Sequence, residues 1–227
     1  MDRRAALRYT ALLTGGAIAA PVVSSLLSGC AMEPKVSGFV PQIFSSDQYK
    51  MIQAISGTIL PNGDIPGAVE VGVPQIIDNM VNVTYSPKER AKYVKGLEAI
   101  MKLWNADPQN SFNGLAEKAK ADFITDQQLA IKKRAEERLA AGLVDQESYT
   151  ITEDMAAPSD EIDAKILTPE EEQLWADETY NQIRQQTISY YLSTEEINTK
   201  YLNYLPVPGK YQPCISLEEA GGKAWAI

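Results

Sequence analysis

The sequence predicts an all-α protein, an irregular single-domain helical bundle with a mostly non-regular C-terminal tail. Several segments begin with helix-capping signals and carry apolar residues at intervals of three and four. The alternation of apolar and polar residues that marks half-buried strands is almost absent. The 227 residues suffice for one substantial core and contain no repeat. We therefore predict a helical domain over residues 45–205 and, in the same domain, an extended tail over residues 206–227.

Two helices are predicted in the first part of this domain. Ser45 or Ser46 can cap a helix that runs through Ile59, since serine oxygens accept the first free backbone N–H groups. The apolar stripe of this helix consists of Met51, Ile52, Ile55 and Ile59. A second, short helix is predicted to begin near Val73-Pro74. Its apolar residues are Ile76, Ile77, Met80 and Val81.

The stretch PNGDIPGA, residues 61–68, is predicted to form a turn between these helices. Pro61 ends the first helix, and Pro66 restricts its own φ. The pair Asn62-Gly63 tolerates positive φ, as many turns require.

Two further helices are predicted in the middle of the chain. Ser86 and Glu89 form a capping box with Pro87 at the first helical position. The apolar stripe that follows indicates core packing rather than a ligand site, and it consists of Tyr93, Leu97, Ile100, Met101 and Trp104. The next helix is predicted over residues 126–141. Its charged residues are expected on exposed faces and are Lys132, Lys133, Arg134, Glu136, Glu137 and Arg138.

The last two helices are predicted after a second strong capping box, formed by Thr168 and Glu171. The apolar side of the long helix that follows consists of Leu174, Trp175, Ile183, Ile188 and Leu192. A final helix is predicted to begin within residues 193–196 and to end near Tyr204. Beyond it the tail is poor in regular structure but contains Tyr211 and Trp225. Because aromatic residues dominate interface hot spots, this tail is a candidate interface.

Residues 151–180 contain ten acidic residues against one base, Lys165. We interpret the segment as a solvated loop and the start of a helix, because charge runs usually face water. The alternative is an electrostatic docking surface for a basic redox partner such as a cytochrome.

Composition excludes most autonomous chemistry. The chain has no histidine, which removes Ser-His-Asp and Cys-His nucleophiles, His-ligated zinc and the usual haem ligand. Two cysteines cannot hold an iron–sulfur cluster, and no glycine-rich dinucleotide motif follows a strand. The formal net charge of −9 argues against nucleic-acid binding. We therefore expect no catalytic, cofactor-binding or metal-binding residues in this chain.

The first 29 residues are predicted to be an export signal of the twin-arginine type. Arg3 and Arg4 are followed closely by Leu7, and the stretch after them is too short and too weakly apolar for a permanent anchor. The motif LSGC at residues 27–30 indicates lipid attachment to Cys30; an ordinary signal peptide with a coincidental cysteine is the alternative. Residues 30–44 would then be a tether.

Two stretches resemble the gluconate 2-dehydrogenase subunit 3 family. The first carries that family's P-x-x-D-x-P-G-A turn and following helix at Ile59, Leu60, Pro61, Asp64, Pro66, Gly67, Ala68, Gly72, Val73 and Asp78. The second carries its S-E, L-x-Y and P-G-x-Y elements and a closing tryptophan at Ser193, Glu195, Leu202, Tyr204, Pro208, Gly209, Tyr211 and Trp225.

This resemblance implies a non-catalytic small subunit of a membrane-associated, flavin-dependent sugar or sugar-acid dehydrogenase. It implies FAD in a large catalytic partner, haem c in a cytochrome partner of some members, and export of the folded partner together with the small subunit. The expected location is the periplasm, on a lipid anchor. Expected contacts with the partner are Tyr204, Pro208, Tyr211 and Trp225. The alternative function is a lipid-anchored helical carbohydrate-binding protein that acts without a dehydrogenase, with exposed aromatics stacking on sugar rings.

Overall fold

The computed structural model describes residues 39–107, 111–142, 162, 164–204, 216, 218–219 and 221–225. This part of the chain contains six named α-helices and no β-strand, apart from one isolated bridge, so the all-α prediction is confirmed. The helices are α1 (Ser46–Ile59), α2 (Val73–Thr84), α3 (Pro87–Trp104), α4 (Glu117–Ala140), α5 (Pro169–Ser193) and α6 (Glu195–Lys200), with a 3₁₀ turn at Phe112–Gly114. The residues described from Val40 onward belong to one compact unit.

Helix α5 is the centre of the fold. It packs most extensively along α3 and also contacts α1, α2 and α6, while α4 packs against α1. The stripe predicted on α3 lies in the core: Tyr93, Leu97, Ile100 and Trp104 are buried, whereas Met101 is half-buried. The interpretation of this stripe as core is therefore confirmed.

Local capping chemistry sets three of the helix starts. Ser45, rather than Ser46, caps α1: its hydroxyl accepts from the Gln48 backbone N–H, while the Gln48 side chain accepts from the Ser45 N–H. The same reciprocal arrangement joins Ser86 and Glu89 at α3, and Thr168 and Glu171 at α5. Both predicted capping boxes are confirmed.

Two helix boundaries differ from the prediction. Helix α4 begins at Glu117, nine residues before the predicted start at 126. Its N-cap, Ala116, makes no side-chain hydrogen bond, and only Ile124 and Ile131 of this helix are buried. The sequence therefore carried neither a capping signal nor a wide apolar stripe there. Helix α6 ends at Lys200 rather than near Tyr204.

Gly96 lets α3 and α5 approach closely. A Cβ atom at this position would overlap the Thr179 hydroxyl and lie 2.9 Å from both the Thr179 Cβ and the Trp175 carbonyl oxygen. Real Cβ atoms do not approach backbone oxygen that closely, so a side chain at position 96 would force the two central helices apart.

We therefore expect Gly96→Ala to lower the free energy of unfolding by about 2 kcal/mol. Overpacking costs roughly 3 kcal/mol at such a contact, and the better helix propensity of alanine offsets about 1 kcal/mol. Urea denaturation followed by circular dichroism measures the change. Gly114→Ala is the matched control, because a methyl group there meets nothing within 4 Å. Equal midpoints for wild type and Gly96→Ala would show that the helices have room to separate.

Candidate partner interface

The turn at residues 61–68 is held by its own polar groups. The Asn62 side-chain oxygen accepts from the Gly67 N–H at 2.8 Å, and the Leu60 carbonyl accepts from the Ala68 N–H at 2.9 Å. Neither Asn62 nor Gly63 has positive φ, so the turn does not use the tolerance for positive φ expected of that pair. The turn closes instead because an asparagine side chain reaches five residues along the chain.

Gly67 is required by this closure. A Cβ atom there would overlap the Asn62 side chain and lie 2.7 Å from both the Asn62 nitrogen and the Leu60 carbonyl oxygen. The next residue, Ala68, is fully buried. Two apolar side chains of the turn region nevertheless face solvent, since Ile65 is 45% exposed and Val69 37% exposed.

The C-terminal end of the described chain is attached to the residues that follow α6. The Asn203 backbone N–H donates to the Ala224 carbonyl at 2.8 Å, and the Asn203 side chain donates to the Lys223 carbonyl at 2.9 Å. A parallel bridge pairs Asn203 with Trp225, and Tyr204 is the next residue after Asn203 in the chain. Tyr204 is 53% exposed and Trp225 52% exposed.

The structure thus brings together two of the four predicted contact residues, Tyr204 and Trp225. The other two, Pro208 and Tyr211, lie outside the described residues, as do Arg3, Arg4, Leu7 and Cys30 of the predicted signal.

Tyr191, near the end of α5, joins that helix to the turn. Its hydroxyl donates to the Pro66 carbonyl oxygen at 2.8 Å. Burial raises the pKa of Tyr191, and the nearby Tyr201 and Glu196 raise it further. Tyr191 therefore lies between the turn and the segment that leads to Tyr204. We call the four exposed apolar side chains on either side of it, Ile65, Val69, Tyr204 and Trp225, the turn–tail surface.

A buried carboxylate holds the chain where it enters the domain. Asp78 on α2 is fully buried and accepts from the backbone N–H groups of Gln42, Ile43 and Phe44 at 2.9, 3.2 and 3.4 Å. Burial, together with the Asp78 carboxylate, raises the pKa of the Tyr49 phenol to about 12. Residues 42–44, part of the predicted tether, are thus bonded to α2.

A second buried carboxylate joins α4 to α5. Asp177 accepts from Arg134 through two bonds of 2.8 Å and from the Gln173 side chain at 2.9 Å, with Arg138 at 3.7 Å. The prediction that Arg134 and Arg138 lie on exposed faces was wrong, because both are half-buried against this carboxylate. The side-chain bond to Asp177 raises the pKa of Arg134.

The described acids of the segment 151–180 are largely paired within the domain. Lysine side chains lie 2.7–2.9 Å from Glu171, Glu172 and Glu178. Bonding to Lys165 and to the Thr168 backbone lowers the pKa of Glu171. For this part of the segment the pairing favours a structural role over cytochrome docking; residues 151–161 and 163 lie outside the described part.

The acidic side chains and surface grooves of the described residues bear on which ligands this part of the chain could bind. Among them no group of three or more His, Cys, Asp or Glu side chains could hold a metal ion. In the same residues no helix is both long and apolar enough to cross a bilayer. Three open grooves of about 320, 630 and 520 Å³ are lined by aliphatic, polar and charged side chains, without an aromatic ring. Sugar stacking, the basis of the alternative function, therefore has no platform in these grooves.

The protein is an all-α domain with two buried carboxylates, Asp78 and Asp177, that hold its elements together, and with two exposed aromatic side chains, Tyr204 and Trp225. A family model described as "Gluconate 2-dehydrogenase subunit 3" matches residues 46–209, most of the chain. The chain therefore belongs to the gluconate 2-dehydrogenase subunit 3 family, as the two motif stretches predicted. The family name implies association with the other subunits of such a dehydrogenase. No curated protein and no solved structure gives a match.

Sequence reasoning missed two polar residues that organise this domain. Tyr191 gave no usable signal, because its partner is a backbone carbonyl 125 residues away. Asp177 did give one: it lies three residues after Leu174, and this spacing places it on the predicted apolar side of α5. A carboxylate on a buried face needs a cationic partner, and the arginines of α4 were available.

Proposed function

We propose that this chain is the non-catalytic small subunit of a periplasmic, flavin-dependent sugar or sugar-acid dehydrogenase of the GMC type. In this role it escorts the folded catalytic subunit through twin-arginine export and stabilises or anchors it. The family match over residues 46–209 is the observation that carries the proposal.

The residues of the chain support a role without chemistry of its own. There is no histidine to act as base or ligand. Two of the buried acids, Asp78 and Asp177, accept bonds from backbone and arginine groups and are committed to holding helices together. Flavin chemistry would reside in the large partner, where FAD accepts the electrons from the sugar, and a cytochrome c with haem c would pass them onward.

The predicted signal supplies the means of export and attachment. Arg3, Arg4 and Leu7 would direct the chain to the twin-arginine route, and acylation of Cys30 would hold the mature domain at a membrane. Each buried lipid CH₂ contributes about 0.8 kcal/mol, so two or three acyl chains give stable attachment. With Cys30 acylated, Cys214 has no partner in the chain for a disulfide.

Co-purification tests the proposal. Affinity-tagged chain from the native host, extracted in mild detergent, should carry a larger protein with flavin absorption and sugar-dehydrogenase activity. The same chain expressed alone should be colourless and inactive, because every cofactor belongs to a partner. A flavin band that stays with the isolated chain through gel filtration would contradict the non-catalytic role, and a tagged chain that brings down no flavoprotein would contradict the subunit role.

A further inference from the structure

We propose that the turn–tail surface, formed by Ile65, Val69, Tyr204 and Trp225, is the site at which the catalytic subunit docks. This inference rests on the proposed function, which supplies the partner. The partner's matching site would be an apolar recess with a basic rim.

Exposed apolar side chains are concentrated here. Four of the nine large hydrophobic side chains exposed in the described residues belong to this surface. The others lie elsewhere: Val40 before α1, Val83 on α2, Ile166 before α5, and Leu129 and Leu139 both on α4. Single exposed apolar residues are normal on a protein surface, whereas a group that includes a tyrosine and a tryptophan marks an interaction site.

Hydrogen bonds within the domain hold both halves of the surface in place. The turn is closed by the Asn62 and Ala68 hydrogen bonds and braced by Tyr191. The tail is fixed by the bonds from Asn203 and by the Lys223 ammonium, which donates to the Lys200 carbonyl at 3.1 Å. A preordered surface loses little conformational entropy on binding, so its apolar area contributes more fully to affinity.

The charge around the surface favours a different protein as the bound partner over a lipid bilayer or a second copy of this chain. The acids around the surface are Glu195 and Glu196 on α6, Glu218 and Glu219 in the tail, Asp64 in the turn, and Glu117 at the start of α4. They outnumber the nearby cations, which are Lys200 and Lys223 beside the tail and Lys118 and Lys120 in the groove that Val69 lines. This acidic excess would be repelled by the anionic headgroups of a bilayer. It would also face itself in a symmetric dimer of a chain whose net charge is −9. A different protein with a basic rim meets neither objection.

The test compares two double variants of the full chain for binding to the purified catalytic subunit. Ile65→Ser with Trp225→Ala removes the surface from both sides, and we expect binding at least roughly 30-fold weaker, the loss typical of an interface hot spot. Val83→Ser with Leu139→Ala is the matched control, since these side chains are also exposed but lie elsewhere. Circular dichroism melting curves establish that both variants remain folded.

The outcomes separate the surface from the function. If wild type binds the catalytic subunit and the first variant binds equally well, or if the control loses as much affinity, the location is wrong while the subunit role stands. If wild type itself does not bind, the proposed function fails. If the wild-type chain dimerises and the first variant does not, the surface binds a second copy of the chain. If the Cys30→Ala form binds phosphatidylglycerol vesicles and loses this binding when combined with the first variant, the surface binds lipid.

Discussion

Replacing Arg3 and Arg4 with lysine is expected to strand dehydrogenase activity in the cytoplasm, although the catalytic subunit itself is unchanged. A flavoprotein folds around its cofactor before export, and a folded chain cannot thread the general secretory channel. A partner without a signal of its own can leave only while docked to the small subunit. The interface must then form before translocation and survive it, which favours a large and apolar contact.

The measurement is sugar-dehydrogenase activity in membrane, periplasmic and cytoplasmic fractions. The lipid anchor should keep wild-type activity in the membrane fraction, and nearly all of it should move to the cytoplasmic fraction in the double-lysine strain. Cys30→Ala is the matched control, because it should leave export intact and merely release the active complex from the membrane. Normal periplasmic activity in the double-lysine strain would show that the partner exports itself and that the escort role is wrong. Activity that stays membrane-bound in the Cys30→Ala strain would contradict lipid anchoring through this residue.

Replacing Asp78 with alanine is expected to lower the free energy of unfolding by about 4 kcal/mol. The carboxylate is fully buried and accepts three backbone N–H groups, and bonds to a charged acceptor are each worth about 1.5–3 kcal/mol before the freed groups rehydrate. A loss of this size is a large fraction of the 5–15 kcal/mol typical of a domain. The free energy of unfolding of Asp78→Asn should lie between those of wild type and Asp78→Ala, because the asparagine side chain keeps one acceptor oxygen.

Denaturant unfolding of the isolated domain measures this loss, and limited proteolysis tests its origin. Cleavage near residues 42–44 should become faster in Asp78→Ala, because these residues lose their attachment to α2. Asp64→Ala is the matched control: Asp64 is an exposed acid of the turn, and its removal should change stability by less than about 0.5 kcal/mol. An Asp78→Asn domain as stable as wild type would show that the carboxylate contributes nothing beyond its shape.

Attachment at Asp78 bears on how the domain is carried. The chain between Cys30 and Gln42 spans twelve residues, which reach at most about 40 Å when fully extended. With Cys30 in lipid and Gln42 bonded to α2, the point at which the chain enters the domain could lie no farther than that from the membrane. Loss of the Asp78 bonds would lengthen this reach without removing the anchor.

Sequence-based prediction succeeded where the determining interactions span a few residues. The capping boxes at Ser86 and Thr168 were recognisable because their partner lies three positions along the same chain. The core stripe of α3 was recognisable because a helix repeats every 3.6 residues. The start of α4 was missed because Ala116 makes no side-chain capping interaction that the sequence could reveal.

The turn at residues 61–68 was predictable in part: its existence could be predicted from the sequence, but the way it closes could not. Its existence followed from local chemistry, because Pro61 and Pro66 restrict the chain by themselves. How it closes did not, since the Asn62 side chain bonds to Gly67 and the brace at Pro66 comes from Tyr191 on α5. Nothing in the eight residues of the turn indicates that brace.

The sequence by itself determined the all-α class, the family, the major helices and the exclusion of histidine-based chemistry. Each of these depends on composition or on contacts within a turn or two of helix. Only the tertiary structure decided which polar groups are buried and where the exposed aromatic side chains meet. Asp78, Asp177 and Tyr191 have partners at least 34 residues away along the chain. Such pairings depend on how helices cross, and packing, not local sequence, sets that geometry.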